Sequence, residues 1–205
     1  MQFLRQFSMI NIGFDFDNTI ISYEDLFYKV GKKLFSLPEN IDKNKSAIKD
    51  YLIKENREID FTELQGLVYG REINRAFPTL NFLNMLGKLS TKENINIYIV
   101  SHKTKYPYRG EKIDLRRAAT NWIELNLGSF NSIKKENIFY ENTISEKIER
   151  VKKLNCLYYF DDLPKIIKLL PQNIKGYLYD PKKLNNDQGI KKLHDWNELD
   201  LSEIT

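Results

Sequence analysis

Asp15 and Asp17 stand two residues apart in the stretch Gly13-Phe14-Asp15-Phe16-Asp17-Asn18-Thr19-Ile20, at the end of an otherwise apolar run. The residues before them, Met9-Ile10-Asn11-Ile12-Gly13-Phe14, are rich in β-formers and bounded by turn chemistry, so they read as a buried strand whose last residues carry charge out of the core. Carboxylates placed there need a positive partner. The chain has one cysteine, Cys156, and two histidines, His102 and His194, too few for a disulfide framework or a structural zinc site. Any metal must therefore be held by oxygen. Other polar groups close apolar runs in the same way: Ser101 ends Ile-Asn-Ile-Tyr-Ile-Val-Ser, and Asp161-Asp162 follow Leu157-Tyr158-Tyr159-Phe160. Lys147 lies near the start of the helical pattern Thr-Ile-Ser-Glu-Lys-Ile-Glu-Arg-Val.

The elements that must position these groups alternate along the chain. Short buried strands are expected over 11–16, 95–101, 137–141, 157–162 and 176–180, and helices over 80–89, 114–127, 145–154 and 163–170. Ser145 is the expected N-cap of the Lys147 helix, with Glu146 favourable in its first turn. Such alternation implies an α/β fold, a mostly parallel sheet with helices on both faces. Ligands of such sheets bind outside the carboxyl ends of the strands, where Asp15, Ser101 and Asp161 fall.

Residues 23–80 break the alternation with helical periodicity and a turn at Leu37-Pro38-Glu39-Asn40. They read as an all-helical insert placed after the first strand, a lid, which divides the chain into a core of 1–22 and 81–205 and a cap of 23–80.

With 205 residues, 41% of them hydrophobic and 29% charged, the chain can bury one ordinary core and a small second lobe. The formal charge of +4 suits an anionic partner, but the lysines are scattered rather than gathered on one face. A nucleic acid is therefore not expected, and phosphate on a small molecule suits the charge as well. The opening segment holds a single Arg and is interrupted by Gln, Ser and Asn, so it lacks the apolar stretch of a signal peptide, and no later run approaches the length of a membrane span. These features point to the cytoplasm and to no membrane partner. They do not specify an oligomeric state.

Asp15-Phe16-Asp17-Asn18-Thr19 resembles DxDxT, the first motif of the haloacid dehalogenase-like (HAD) superfamily of phosphotransferases and phosphatases. Ser101 resembles the second motif, Lys147 the third, and Asp161-Asp162 the fourth in its DD form, all in the family's order; the resemblance spans roughly residues 9–182. It implies a Rossmann-like parallel sheet with a small helical cap after the first strand. It also implies a Mg²⁺ ion held by Asp15, Asp17, Asp161 and Asp162, Asp17 contributing its main-chain carbonyl. The DD form leaves open which of Asp161 and Asp162 touches the ion. Asp15 would be the nucleophile and Asp17 the acid and base. Ser101, with His102 beside it, and Lys147 would bind the phosphoryl group, Lys147 also offsetting its charge; His102 is not the base, since Asp17 fills that role. Members of the superfamily commonly begin a few residues before the first Asp, where Met9 stands, so residues 1–8 read as an extension or as the product of an upstream start codon, and they are expected to be poorly ordered.

The presence of Asp17 argues against dehalogenation, because a halide leaving group needs no proton. A lid over the site implies a small phosphorylated metabolite. The basic and aromatic segment after Ser101 supplies Lys103, Lys105 and Arg109 as candidate substrate contacts, and the cap supplies Arg71 after Gly66 and Gly70, which permit a bend. The stretches around the first motif, 62–70 and 99–108 further resemble small HAD proteins of bacterial surface-polysaccharide and sugar-nucleotide functions, which implies a sugar phosphate or amino-alcohol phosphate. A nucleotide 5'-phosphatase, a phosphomutase and a catalytically idle binding domain are the alternatives.

Overall fold

The computed structural model describes residues 8–130, 132–202 and 204; the extension before Met9 lies, apart from Ser8, outside them. In chain order the elements are β1 (Ile10–Phe14), β2 (Ile21–Ser22), α1 (Leu26–Phe35), α2 (Lys45–Lys54), α3 (Glu58–Tyr69), β3 (Phe77–Pro78), α4 (Phe82–Ser90), β4 (Ile95–His102) and α5 (Leu115–Leu127). They continue with β5 (Ile138–Glu141), α6 (Ile144–Lys153), β6 (Cys156–Asp161), α7 (Pro164–Leu169), β7 (Lys175–Tyr179) and β8 (Lys192–Leu193). Six strands form one sheet in the order β5-β4-β1-β6-β7-β8, and every pairing in it is parallel. The expected α/β fold is therefore the observed one. The sequence pattern does not reveal β8 or the antiparallel ribbon of β2 and β3, because two-residue strands carry no periodicity.

The chain folds into two compact units: Met1–Ile20, Thr79–His102 and Leu127–Thr205 form one, Ile21–Pro78 and Lys103–Asn126 the other. The first holds the sheet. Alternation along its strands sends apolar side chains to both faces. On one face Phe14 stacks on Phe160 with ring centroids 5.0 Å apart, Phe82 of α4 meets Phe14 edge-on at 5.7 Å, and Trp196 stacks on Tyr179 at 4.8 Å. On the other, Val100 and Tyr159 pack with Ile148 and Val151 of α6 and Ile166 of α7. Burial on both sides explains why these strands read as nearly continuous apolar runs.

The second unit contains the helical insert and also residues 103–126, which the sequence pattern assigns to the core. Its packing accounts for the difference. A Cβ at Gly66 would lie 2.9 Å from the Cβ of Pro107, and the indole of Trp122 donates to the carbonyl of Ala76 at 3.0 Å. Gly66 thus serves close approach between α3 and the segment after β4 rather than a bend of the chain.

Candidate active site

β1 is the centre of the sheet, with β4 and β6 on either side, so three of the predicted polar groups come from neighbouring strands. Phe14 pairs in register with Ile99 of β4 and Phe160 of β6, and the amide of Asp15 donates to the carbonyl of Phe160 at 2.8 Å. Asp15 therefore emerges beside Asp161, with Ser101 at the penultimate position of β4. Strand parity decides where the two acids point. Asp15 has the parity of Gly13, and Asp161 that of Tyr159, so both face the side covered by α6.

α6 supplies the cation. Its buried residues are Lys147, Ile148 and Val151, a stripe at helical spacing with a lysine in an otherwise apolar row. The Lys147 ammonium donates to Asp15 Oδ1 at 2.6 Å and to Asp161 Oδ2 at 2.6 Å. All three side chains are almost fully buried. The helix start is set by Thr143 rather than by Ser145: Thr143 accepts from the amide of Glu146 while the Glu146 carboxylate accepts from that of Thr143, a reciprocal capping box. The T-x-x-E spacing wins because only from the N-cap position can the hydroxyl reach the N3 amide.

The two members of the acid pair have different surroundings. Asp161 Oδ1 accepts from the amide of Leu163 at 2.9 Å and Oδ2 from Lys147, so both its oxygens have protein partners. Asp162 is half-buried and accepts from the amide group of Asn18 at 3.2 Å. Asn18 adopts a left-handed backbone with φ 58°, a conformation asparagine tolerates better than most residues. Its partnership with Asp162 is not legible in the sequence, where Asn18 is an unassigned position inside the first motif.

Electrostatics favour a further cation. Burial opposes the charge of Lys147, but Asp15 and Asp161 outweigh it and hold the ammonium above the ordinary lysine range. Burial raises the carboxyl of Asp161, as does the charge of Asp15, against the lowering pull of Lys147. Loss of solvation and the charges of Asp15 and Asp161 likewise lift Asp162, against its hydrogen bond from Asn18. Asp15, Asp161 and Asp162 each present a ligand oxygen, all within 4.8 Å of one another. With all three acids ionised, one ammonium would leave two negative charges uncompensated. An all-oxygen donor set of this charge fits a hard divalent cation such as Mg²⁺.

The other predicted residues divide clearly. Asp17 is half-buried in the turn after β1, and Ser101 is buried. His102 is exposed, its Nε2 2.9 Å from the carbonyl of Asn142. Within the second unit Lys103 is buried with its ammonium 5.1 Å from the Tyr69 ring centroid, whereas Lys105 and Arg109 are exposed. Arg71 is exposed and forms ion pairs with Glu72 and Glu111. Lys45, the first residue of α2, donates to the Tyr69 hydroxyl at 2.7 Å, a contact between helices that the sequence pattern does not reveal. No helix among the described residues is long and apolar enough to cross a membrane.

No family model matches the sequence, and no curated protein matches it. Solved structures do. A haloacid dehalogenase-like family hydrolase of Streptococcus pneumoniae superposes with a TM-score of 0.64 at 14% identity, covering 96% of this chain and 99% of its own. YfnB of Bacillus subtilis, assigned as a HAD hydrolase and solved with bound magnesium, gives 0.59 at 12% identity over 97% and 99%. A Thermotoga maritima protein assigned as a β-phosphoglucomutase gives 0.54 at 12% identity over 93% and 96%. With its parallel sheet, helical insert after the first strand and acids at the central strand ends, the chain has the fold of the haloacid dehalogenase-like hydrolases.

Proposed function

We propose that the protein is a Mg²⁺-dependent phosphomonoesterase that hydrolyses a small phosphorylated metabolite through an aspartyl-phosphate on Asp15. The observation that carries this reading is the buried bridge of Lys147 between Asp15 and Asp161, with Asp162 completing an oxygen cluster suited to a divalent cation.

In this reading each residue has a role. The Asp15 carboxylate attacks phosphorus, forming a new P–O bond as the bond to the substrate oxygen breaks. Asp17 gives that oxygen its proton and then takes one from the water that displaces Asp15 from phosphorus. Lys147 offsets charge on Asp15 and on the phosphoryl oxygens, and the Ser101 hydroxyl donates to one of them. Asp15, Asp162 and the main-chain carbonyl of Asp17 would hold the ion, while Asp161, whose oxygens already engage Lys147 and the Leu163 amide, serves mainly to orient the lysine. Mg²⁺ held by these residues would neutralise charge that otherwise keeps a carboxylate and a phosphate apart. Among the candidate substrate contacts, Lys103 is buried beside the Tyr69 ring and Arg71 is engaged by two glutamates.

The test is phosphate release from a panel of sugar phosphates, amino-alcohol phosphates and nucleotides, with Mg²⁺ and with EDTA, using Asp15→Asn as blank. Metal-dependent release confined to a few small compounds supports the proposal and identifies the substrate class; confinement to nucleoside monophosphates would select the nucleotidase alternative. Mg²⁺ binding without turnover of any compound would count against it and favour the idle binding domain.

A further inference from the structure

The sheet contains a tie that none of the motif residues explains. In register, Gly13 of β1 sits between Tyr98 of β4 and Tyr159 of β6. Tyr159 is fully buried, yet its hydroxyl donates at 2.7 Å to the carbonyl of Val100, which belongs to β4, the strand beyond β1. The side chain therefore crosses the whole width of β1. Two strand spacings amount to about 9–10 Å, a span that tyrosine closes with one hydrogen bond and phenylalanine leaves open.

The crossing needs a bare position beneath it, and Gly13 provides one. A Cβ there would lie 2.7 Å from Tyr159 Cδ2, closer than real contacts allow. The bonded carbonyl belongs to the peptide whose amide is that of Ser101. Two residues beyond Tyr159 on the same face stands Asp161, and the Lys147 ammonium lies 5.8 Å from the Tyr159 ring centroid. A single side chain is thus joined to all three strand ends of the site and backs its cation.

We infer that Tyr159 is a positioning residue, a strap across β1 that fixes Ser101, Asp15 and Asp161 relative to one another and supports the Lys147 ammonium. A buried tyrosine hydroxyl needs a partner wherever it lies; what marks this one is that its partner stands two strands away, reached over a bare glycine. The kinetic part of the inference rests on the phosphatase reading; its metal-binding part does not. Sub-ångström spread of the strand ends would lower turnover more than substrate affinity, because alignment matters most in the transition state.

The experiment compares the wild type, Tyr159→Phe, Gly13→Ala and the double variant. Mg²⁺ binding is measured by calorimetry, and kcat and KM separately on a substrate from the panel, well below each thermal midpoint. Expected for Tyr159→Phe is a rise of about fivefold in the Mg²⁺ Kd and a fall of roughly tenfold in kcat with KM little changed. Gly13→Ala, which keeps the hydroxyl but displaces the ring, should act in the same direction. The double variant should be no worse than the worse single one, since both act on one contact. A lowered thermal midpoint with unchanged Mg²⁺ affinity and kcat would overturn the strap. An inert wild type that binds Mg²⁺ would instead overturn the phosphatase reading, and the Mg²⁺ titrations alone would then decide the inference. If Tyr159→Phe does not fold, Gly13→Ala decides it.

Discussion

Lys147 and Asp15 are 132 positions apart in the chain and 2.6 Å apart in the fold. The contact is buried, and the same ammonium holds Asp161 at an equal distance. Removing one partner of such a cluster leaves the others desolvated without compensation, at a cost of about 3–5 kcal/mol. Lys147→Met is expected to lose that much stability in urea unfolding with EDTA present. Part of the loss should return on adding Mg²⁺, since a cation bound to the same acids relieves their repulsion. An equal loss with and without Mg²⁺ would show that the two cations do not share the acids.

Metal should stabilise the folded protein. An ion that binds the native oxygen cluster and not the unfolded chain adds about 2.7 kcal/mol at a concentration one hundred times its Kd. The thermal midpoint is expected to rise with Mg²⁺ and fall back with EDTA. Asp162→Asn should abolish most of this dependence, because Asp162 is the member of the acid pair with less protein engagement. Retention of the full Mg²⁺ shift in Asp162→Asn would move the ligand role to Asp161.

Asp15→Asn and Asp17→Asn should fail differently. Without the Asp15 nucleophile no phosphoenzyme forms and turnover is abolished. With Asp17→Asn a good leaving group such as p-nitrophenolate, which needs no proton, should still be expelled, while the second step stalls for want of a base. Phosphoenzyme trapped by acid quench in Asp17→Asn and absent in Asp15→Asn is the expected pattern. Full activity of Asp15→Asn would refute the mechanism.

The start of α6 offers a test of local structure. Thr143→Ala removes the N-cap hydroxyl and should cost about 1 kcal/mol. Ser145→Ala, within the helix, should change stability by no more than about 0.5 kcal/mol. Because α6 carries Lys147, Thr143→Ala should also lower turnover. Equal effects of the two substitutions would be inconsistent with the capping box.

Cys156 is buried at the start of β6, and burial pushes its thiol pKa up to about 12. The thiolate is the reactive form, so little of the folded protein presents it near neutral pH. A thiol reagent should react very slowly with the native protein and rapidly in denaturant. The rate of labelling then reports opening of the sheet, and fast labelling of the folded state would contradict the packing around β6.

Much of the fold was legible because burial on both faces of a parallel sheet makes each core strand a short apolar run with a polar end. Those runs placed Asp15, Ser101 and Asp161 at carboxyl ends of strands, and helical spacing placed Lys147 on a helix. The resemblance to four ordered motifs was carried by the same residues. Less legible were β2, β3 and β8, too short for a period, and the grouping of 103–126 with the insert, which depends on fits such as Gly66 against Pro107.

Residue types and their order along the chain therefore determined the layers, the acidic strand ends and the lysine available to them, since these follow from local periodicity and solvation. Only the tertiary structure decided which groups meet. Strand order and parity turned Asp15 and Asp161 toward Lys147, the left-handed turn at Asn18 brought its amide to Asp162, and the bare Gly13 let Tyr159 reach Val100. Contacts of this kind join residues far apart in sequence through packing that no window of the chain contains.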